Sequence, residues 1–182
     1  MASSTIPAAA PVLIVMGVAG SGKTQIGREV ASRLGWSFVD ADDVHPESNV
    51  AKMRAGHALT DTDREPWLEA LNQMLRTRQS EGVAVVLACS ALKHAFRRAL
   101  VDGVTNERII HLDVPQPAIV ERVSNRRGHF MPLELVANQF AELEVPGADE
   151  AIIIDANRPN VVVVDSAIDA LHGWFNQPEG PE

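Results

Sequence analysis

The stretch GVAGSGKT, Gly17 to Thr24, carries the residue types needed to hold a polyphosphate. It completes the pattern G-x-x-x-x-G-K-[ST] in Gly17, Gly22, Lys23 and Thr24, with Gly20 and Ser21 inside the loop. Glycines let consecutive backbone N–H groups curl around an anion, and a helix starting there adds its positive N-terminal end. The lysine suits the outer phosphates of a nucleotide, and the threonine hydroxyl suits a Mg²⁺ bound to them.

Acids follow in FVDADDVH. Asp40 and Asp42 are two residues apart, so a strand continuing through them would point both to one side and Asp43 to the other. Phosphoryl transfer needs Mg²⁺ beside the phosphates and a group that orients the attacking hydroxyl and takes its proton. Two carboxylates on one face could divide that work. Solvated loops also gather acids, but a place one strand after a phosphate loop favours the chemical reading.

Two further segments carry polar chemistry. In CSALK, Ser90 could meet a substrate or cap a helix, Lys93 would open that helix with its charge near the same cleft, and Cys89 reads as a small buried hydrophobe. In ERVSNRRGHFMP, Arg122, Arg126 and Arg127 precede Gly128 and His129. A mobile arginine-bearing segment over about 122–132, hinged at Gly128, would neutralise a transferring phosphoryl group and exclude water. The alternative is a solvated basic helix end. DTDREPWLEAL reads as a helix start, with Thr62 and Glu65 spaced as a capping box and Pro66 in the first turn.

These residues need a scaffold, and the apolar pattern supplies one. PVLIVM, WSFVDAD, VAVVLACS, RIIHLDV and AIIIDA read as five buried strands separated by helical stretches. Continuous apolar strands alternating with helices mean a parallel sheet covered on both faces, with ligands at its carboxyl ends. TQIGREVASRLG has helical spacing at Ile26, Val30 and Leu34 and stops at glycine. VVVVD has strand composition, but Pro159 suits a helix start, and the reading here is the last helix.

At 182 residues and 46% hydrophobic, the chain predicts one domain over 1–182, with flexible ends at 1–11 and 176–182. A net charge of −8 disfavours nucleic acid and anionic membranes as partners. One cysteine excludes an internal disulfide framework, six scattered histidines show no zinc spacing, and the start lacks a secretory signal, which predicts a cytoplasmic protein.

Taken together, the phosphate loop, DADDVHPESNVAKMRAGHALTDTDREPWL, CSALK and RRGHFMPLELVANQFAELEVPGADE resemble the gluconokinase family, ATP-dependent kinases that phosphorylate D-gluconate at its 6-hydroxyl. The resemblance runs from about residue 12 to 175. It implies a three-layer α/β P-loop kinase fold with a five-stranded parallel sheet in the order 2-3-1-4-5, as in shikimate kinases, a closing lid, and a homodimer. It implies ATP and Mg²⁺ as cofactors, with residues 17–24 and Lys23 on the phosphates, Thr24 on the metal, and Asp40 supporting the metal through water. By similarity with shikimate kinases, Asp42 would contact the acceptor hydroxyl. Arg122 would stack on adenine opposite the loop containing Pro159, while Arg126 and Arg127 would reach across from the lid, Arg127 toward the transferring phosphate. His45, Lys52, Arg64, Ser90, Lys93, Arg97 and His129 align with family motif residues near the acceptor. Two departures, Ala19 for a frequent serine and Ala41 for a frequent glycine, remove no donor or carboxylate. Gluconate's carboxylate and hydroxyls suit a planar cation such as arginine among several hydrogen-bonding partners.

Other P-loop classes fit less well. A GTP switch needs N-K-x-D and D-x-x-G, and the chain has neither. A motor or transporter subunit needs an apolar strand ending in acid beside the first; Asp113 and Asp155 end such runs, but late in the chain. Against a shikimate acceptor, the long insert from Val44 to Pro66 and the CSALK turn favour gluconate, on the resemblance alone.

Overall fold

The structure, a computed structural model, describes residues 9–125 and 133–175. Five parallel strands form one sheet: β1 (Val12–Met16), β2 (Ser37–Asp40), β3 (Val85–Ala88), β4 (Glu107–Asp113) and β5 (Ile152–Asp155), in the order β2-β3-β1-β4-β5. The helices are α1 (Lys23–Leu34), α2 (Glu47–Arg54), α3 (Asp61–Ser80), α4 (His94–Val101), α5 (Gln116–Ser124), α6 (Leu133–Glu142) and α7 (Asn160–Phe175). This is the three-layer architecture the resemblance implies.

Alternation along the strands builds the layers. Leu13 and Val15 of β1, Val86 of β3, and Ile110 and Leu112 of β4 face one way. They pack on Ile26 and Val30 of α1, Ile119 of α5, Val136 of α6, and Val163 and Leu171 of α7. Val12, Ile14 and Met16 face the other way with Leu87 and Ile109, under Trp67, Leu71 and Leu75 of α3 and Leu100 of α4. Both faces of β1 are therefore covered, which is why its five residues read as one unbroken apolar run. The VVVVD segment is helical, as expected: Val163 and Val164 are buried, while Val161 and Val162 lie exposed at the start of α7.

Three local expectations need correction. Strand β2 stops at Asp40, and Ala41–Val44 forms a short 3₁₀ helix instead of continuing the strand. Asp40 itself causes the turn, since its side chain accepts the Asp42 N–H. The α3 capping box is Thr60 with Asp63, two residues earlier than Thr62 with Glu65, and Pro66 therefore lies in the second turn. Asp63 accepts the Thr60 N–H and also pairs with Lys52 of α2, so this register satisfies two helices at once. Ser90 is not a helix cap; Lys93 holds that position, and the first N–H of α4 is taken by the carboxylate of Glu144.

Candidate active site

The loop between β1 and α1 is shaped by its glycines. A Cβ on Gly17 would stand 2.6 Å from Ser21 Oγ and 3.1 Å from the Leu112 carbonyl. Gly22, at φ +95°, turns the chain into α1 and accepts the Ile26 N–H at 2.9 Å. Gly20 packs toward Val123 and Ile119 of α5. Ser21 Oγ is buried and has no partner among the described residues. Lys23 reaches back over the loop, donating to the Val18 carbonyl at 3.4 Å. Burial pushes its ammonium pKa down, opposed by the carboxylates of Asp42 and Asp40. A glycine-rich loop leading into a helix N-terminus, an orphan hydroxyl and a desolvated cation together suit an anionic ligand.

The next strand supplies the acids. Thr24 Oγ1 donates to Asp40 Oδ2 at 2.7 Å, and Asp40 Oδ1 accepts the Asp42 N–H at 3.1 Å. Asp42 is thus placed on the first turn of the 3₁₀ helix, exposed and close enough to act electrostatically on Lys23. The helix is pinned from behind by Trp67, whose Nε1 donates to the buried Ala41 carbonyl at 2.9 Å. His45 stacks on the same indole, with centroids 4.2 Å apart and planes 13° apart. Burial lowers the His45 pKa, the Asp42 carboxylate opposes that, and the Arg64 cation adds to it.

A cationic group gathers on the side of α3 and α4. Arg64 and Lys93 both lie over the Phe96 ring, at 5.5 and 5.4 Å. Lys93 donates to both Asp61 oxygens, while Arg64 pairs with Asp61 at 3.2 Å and with Glu142 of α6 at 3.3 Å. Half-buried Ser90 precedes Ala91, whose φ of +46° is unusual for a residue with a Cβ. Lys52 is committed to Asp63, whose carboxyl is held down at about 2 by Lys52 and by Thr60.

Arg97 does not join this group. It is 2% exposed, with Nε and Nη2 on Glu150 and Nη1 on the carbonyls of Ala91, Leu92 and Glu144. All three nitrogens of its guanidinium have protein partners that shape the turn after β3. Cys89 is buried and its thiol is pushed up to about 12, chiefly by desolvation, so it offers no thiolate. Arg122 of α5 donates to the Ala156 carbonyl at 2.9 Å and approaches Asn157 Oδ1 at 3.4 Å, which ties it to the loop that leads through exposed Pro159 into α7. Arg126, Arg127, Gly128 and His129 lie outside the described residues.

Sequence reasoning missed residues that these contacts reveal. Asp61 and Phe96 organise the two cations, and Gln139 of α6 accepts the Ala19 N–H of the loop at 2.6 Å. Only the basic residues had a signal, since charge in an acidic chain stands out. A second cleft, about 550 Å³, lies against the start of β4 and is lined by Arg98, Glu107, Arg108 and Asp149. It is far from the strand ends at which ligands bind in parallel sheets.

Comparison with known proteins agrees with the fold and places the chain among kinases. A family described as AAA domain matches residues 12–146. The chain is 45% identical to a gluconokinase of Gluconobacter oxydans over 83% of its length and 86% of that protein's. It is 38% identical to the thermoresistant gluconokinase of Escherichia coli, covering 88% of this chain and 93% of that one. A crystal structure of a gluconokinase from Sinorhizobium meliloti superposes with a TM-score of 0.80 at 34% identity, covering 92% of this chain and 98% of that one.

Proposed function

The chain belongs to the gluconokinase family, and from that premise we propose that it transfers the γ-phosphoryl group of ATP to the 6-hydroxyl of D-gluconate, giving 6-phospho-D-gluconate and ADP. The observation that carries the reading is the place of Asp42. Its N–H is held by the Asp40 carboxylate that also takes the Thr24 hydroxyl of the phosphate loop, and its turn rests on Trp67, on which His45 stacks. A carboxylate between a nucleotide site and a cationic acceptor site is where a hydroxyl must be oriented for transfer.

In this reading the loop N–H groups and Lys23 hold the phosphates, and Arg64 and Lys93 receive the gluconate carboxylate, with Ser90, His45 and His129 near its hydroxyls. The acceptor oxygen forms its bond to the γ-phosphorus as the bond to the β,γ-bridging oxygen breaks, and Asp42 takes the hydroxyl proton. Thr24 and Asp40 would hold Mg²⁺, which supplies neutralisation of the phosphate charge. A hydroxyl joined to a carboxylate fits that ion; no described group of three His, Cys, Asp or Glu side chains could cage it, so most ligands would be phosphates and water. Arg126 and Arg127 add positive charge over the transferring group, and Arg122 lies beside adenine with the Pro159 loop.

A single kinase domain acting in the cytoplasm as a homodimer completes the reading. No described helix is long and apolar enough to cross a membrane.

The test is phosphorus NMR of the protein with MgATP and D-gluconate, with shikimate and no acceptor as controls. A phosphate monoester signal with gluconate alone is expected. ADP without a monoester would leave a nucleotide hydrolase and remove the kinase assignment.

A further inference from the structure

A side chain from far along the sequence bonds the backbone of the phosphate loop. Gln139 of α6 places Oε1 2.6 Å from the Ala19 nitrogen and accepts its N–H, across 120 residues of sequence. Helix α6 is held there by buried Val136, with Phe140 and Leu143 packed against the same core, so the amide is delivered by an anchored element. The contact lies at a definite end of the loop. Lys23 Nζ, the cation suited to the outer phosphates, rests 3.4 Å from the Val18 carbonyl, in the same peptide unit as the Ala19 N–H.

An amide oxygen pointing into an anion site cannot stay as it is when phosphate oxygens arrive, because both are acceptors. A glutamine has a second option that a carboxylate lacks: turning its terminal torsion presents Nε2–H₂ as a donor. We propose that Gln139 is an outer-phosphate reader, which satisfies the Ala19 N–H when the site lacks nucleotide and donates to the γ-phosphoryl oxygens when a triphosphate is bound. Its place at the Val18–Ala19 end of the loop makes the contact specific to the third phosphate. The inference rests on the nucleotide site of the proposed function and adds to it a residue that distinguishes ATP from ADP.

Calorimetric titration of the full chain with MgADP and with a non-hydrolysable MgATP analogue separates the possibilities without any turnover. Gln139→Glu keeps an acceptor for Ala19 but sets a negative charge against the phosphate. It is expected to weaken the triphosphate analogue by about tenfold or more, and MgADP by about twofold or less. Gln139→Ala, with thermal unfolding as a check on both variants, is expected to show a smaller loss confined to the analogue. Equal weakening of both nucleotides would reduce Gln139 to a residue that shapes the loop, and unchanged affinities would remove it from the site; either outcome overturns the proposal. Failure of the unaltered chain to bind either nucleotide would instead take down the nucleotide site itself, and the inference with it.

Discussion

Thr24 Oγ1 donates to Asp40 Oδ2 at 2.7 Å while the other oxygen of the same carboxylate accepts the Asp42 N–H at 3.1 Å. One side chain thus joins the first turn of α1 to the turn that presents Asp42. Asp40→Asn separates the two duties of that carboxylate. An amide oxygen can still accept either hydrogen bond, so stability should change by about 1 kcal/mol or less. The lost charge should raise the Mg²⁺ concentration needed for half-maximal activity by roughly tenfold. A Mg²⁺ titration that matches the unaltered chain would show Asp40 to be structural only.

Asp42 is exposed, and among the described residues no hydrogen bond or ion pair of its side chain ties another element, so its replacement tests chemistry with little disturbance of packing. Asp42→Asn should lower kcat by about 10² or more, the usual range for a general base, while MgATP binding measured by calorimetry stays within about twofold. Substantial residual turnover would demote Asp42 to a solvated acid of the 3₁₀ helix.

Arg64 lies over Phe96 and pairs with both Asp61 and Glu142, so internal carboxylates occupy the guanidinium that the proposed function assigns to the substrate carboxylate. Lysine keeps the charge but loses the planar fork. Arg64→Lys should therefore raise the KM for gluconate by about tenfold with the KM for MgATP nearly unchanged. Equal changes in both constants would mean that Arg64 supports the fold of the site rather than the acceptor.

The sequence was legible where the information is local. The phosphate loop, the unbroken strands and the last helix follow from residues within a turn or two of one another. The errors arose where distant partners decide. Arg97 has the same type and neighbourhood as a substrate cation, but Glu150, 53 residues away, takes it into the core. The α3 cap moved because Asp63 also serves Lys52 of another helix, a contact no capping pattern contains. Asp40 ended its strand by bonding its own chain, which alternation of apolar residues does not encode. Gln139 left no trace, since a glutamine on a helix gives no hint of a loop 120 residues earlier.

The burial of Arg97 has a measurable consequence. Arg97→Ala would leave the Glu150 carboxylate without its main partner and take one donor from each of the Ala91, Leu92 and Glu144 carbonyls, of which Leu92 keeps the Glu144 N–H. Breaking a buried pair from one side costs about 3–5 kcal/mol, which should appear as a lower midpoint in urea unfolding. If the midpoint held while the gluconate KM rose, Arg97 would return to the acceptor site.

The stability of the fold should fall in two steps as pH drops. Burial depresses the His45 pKa below its ordinary 6.5, so the unfolded chain takes up that proton first and stability begins to decline below about pH 6.5. Asp63 has a folded pKa of about 2 against an ordinary 3.8, because Lys52 and Thr60 bond its ionised form. The folded state binds fewer protons than the unfolded state between those values, so this contribution is complete above about pH 4 and is lost toward pH 2. Asp61 and Glu150, lowered mainly by Lys93 and Arg97, act in the same direction. Urea unfolding at a series of pH values should show both declines, and Asp63→Asn should flatten the acid one while leaving the step near pH 6.5 in place. An unchanged acid limb in that variant would mean that the Lys52 pair does not persist in solution.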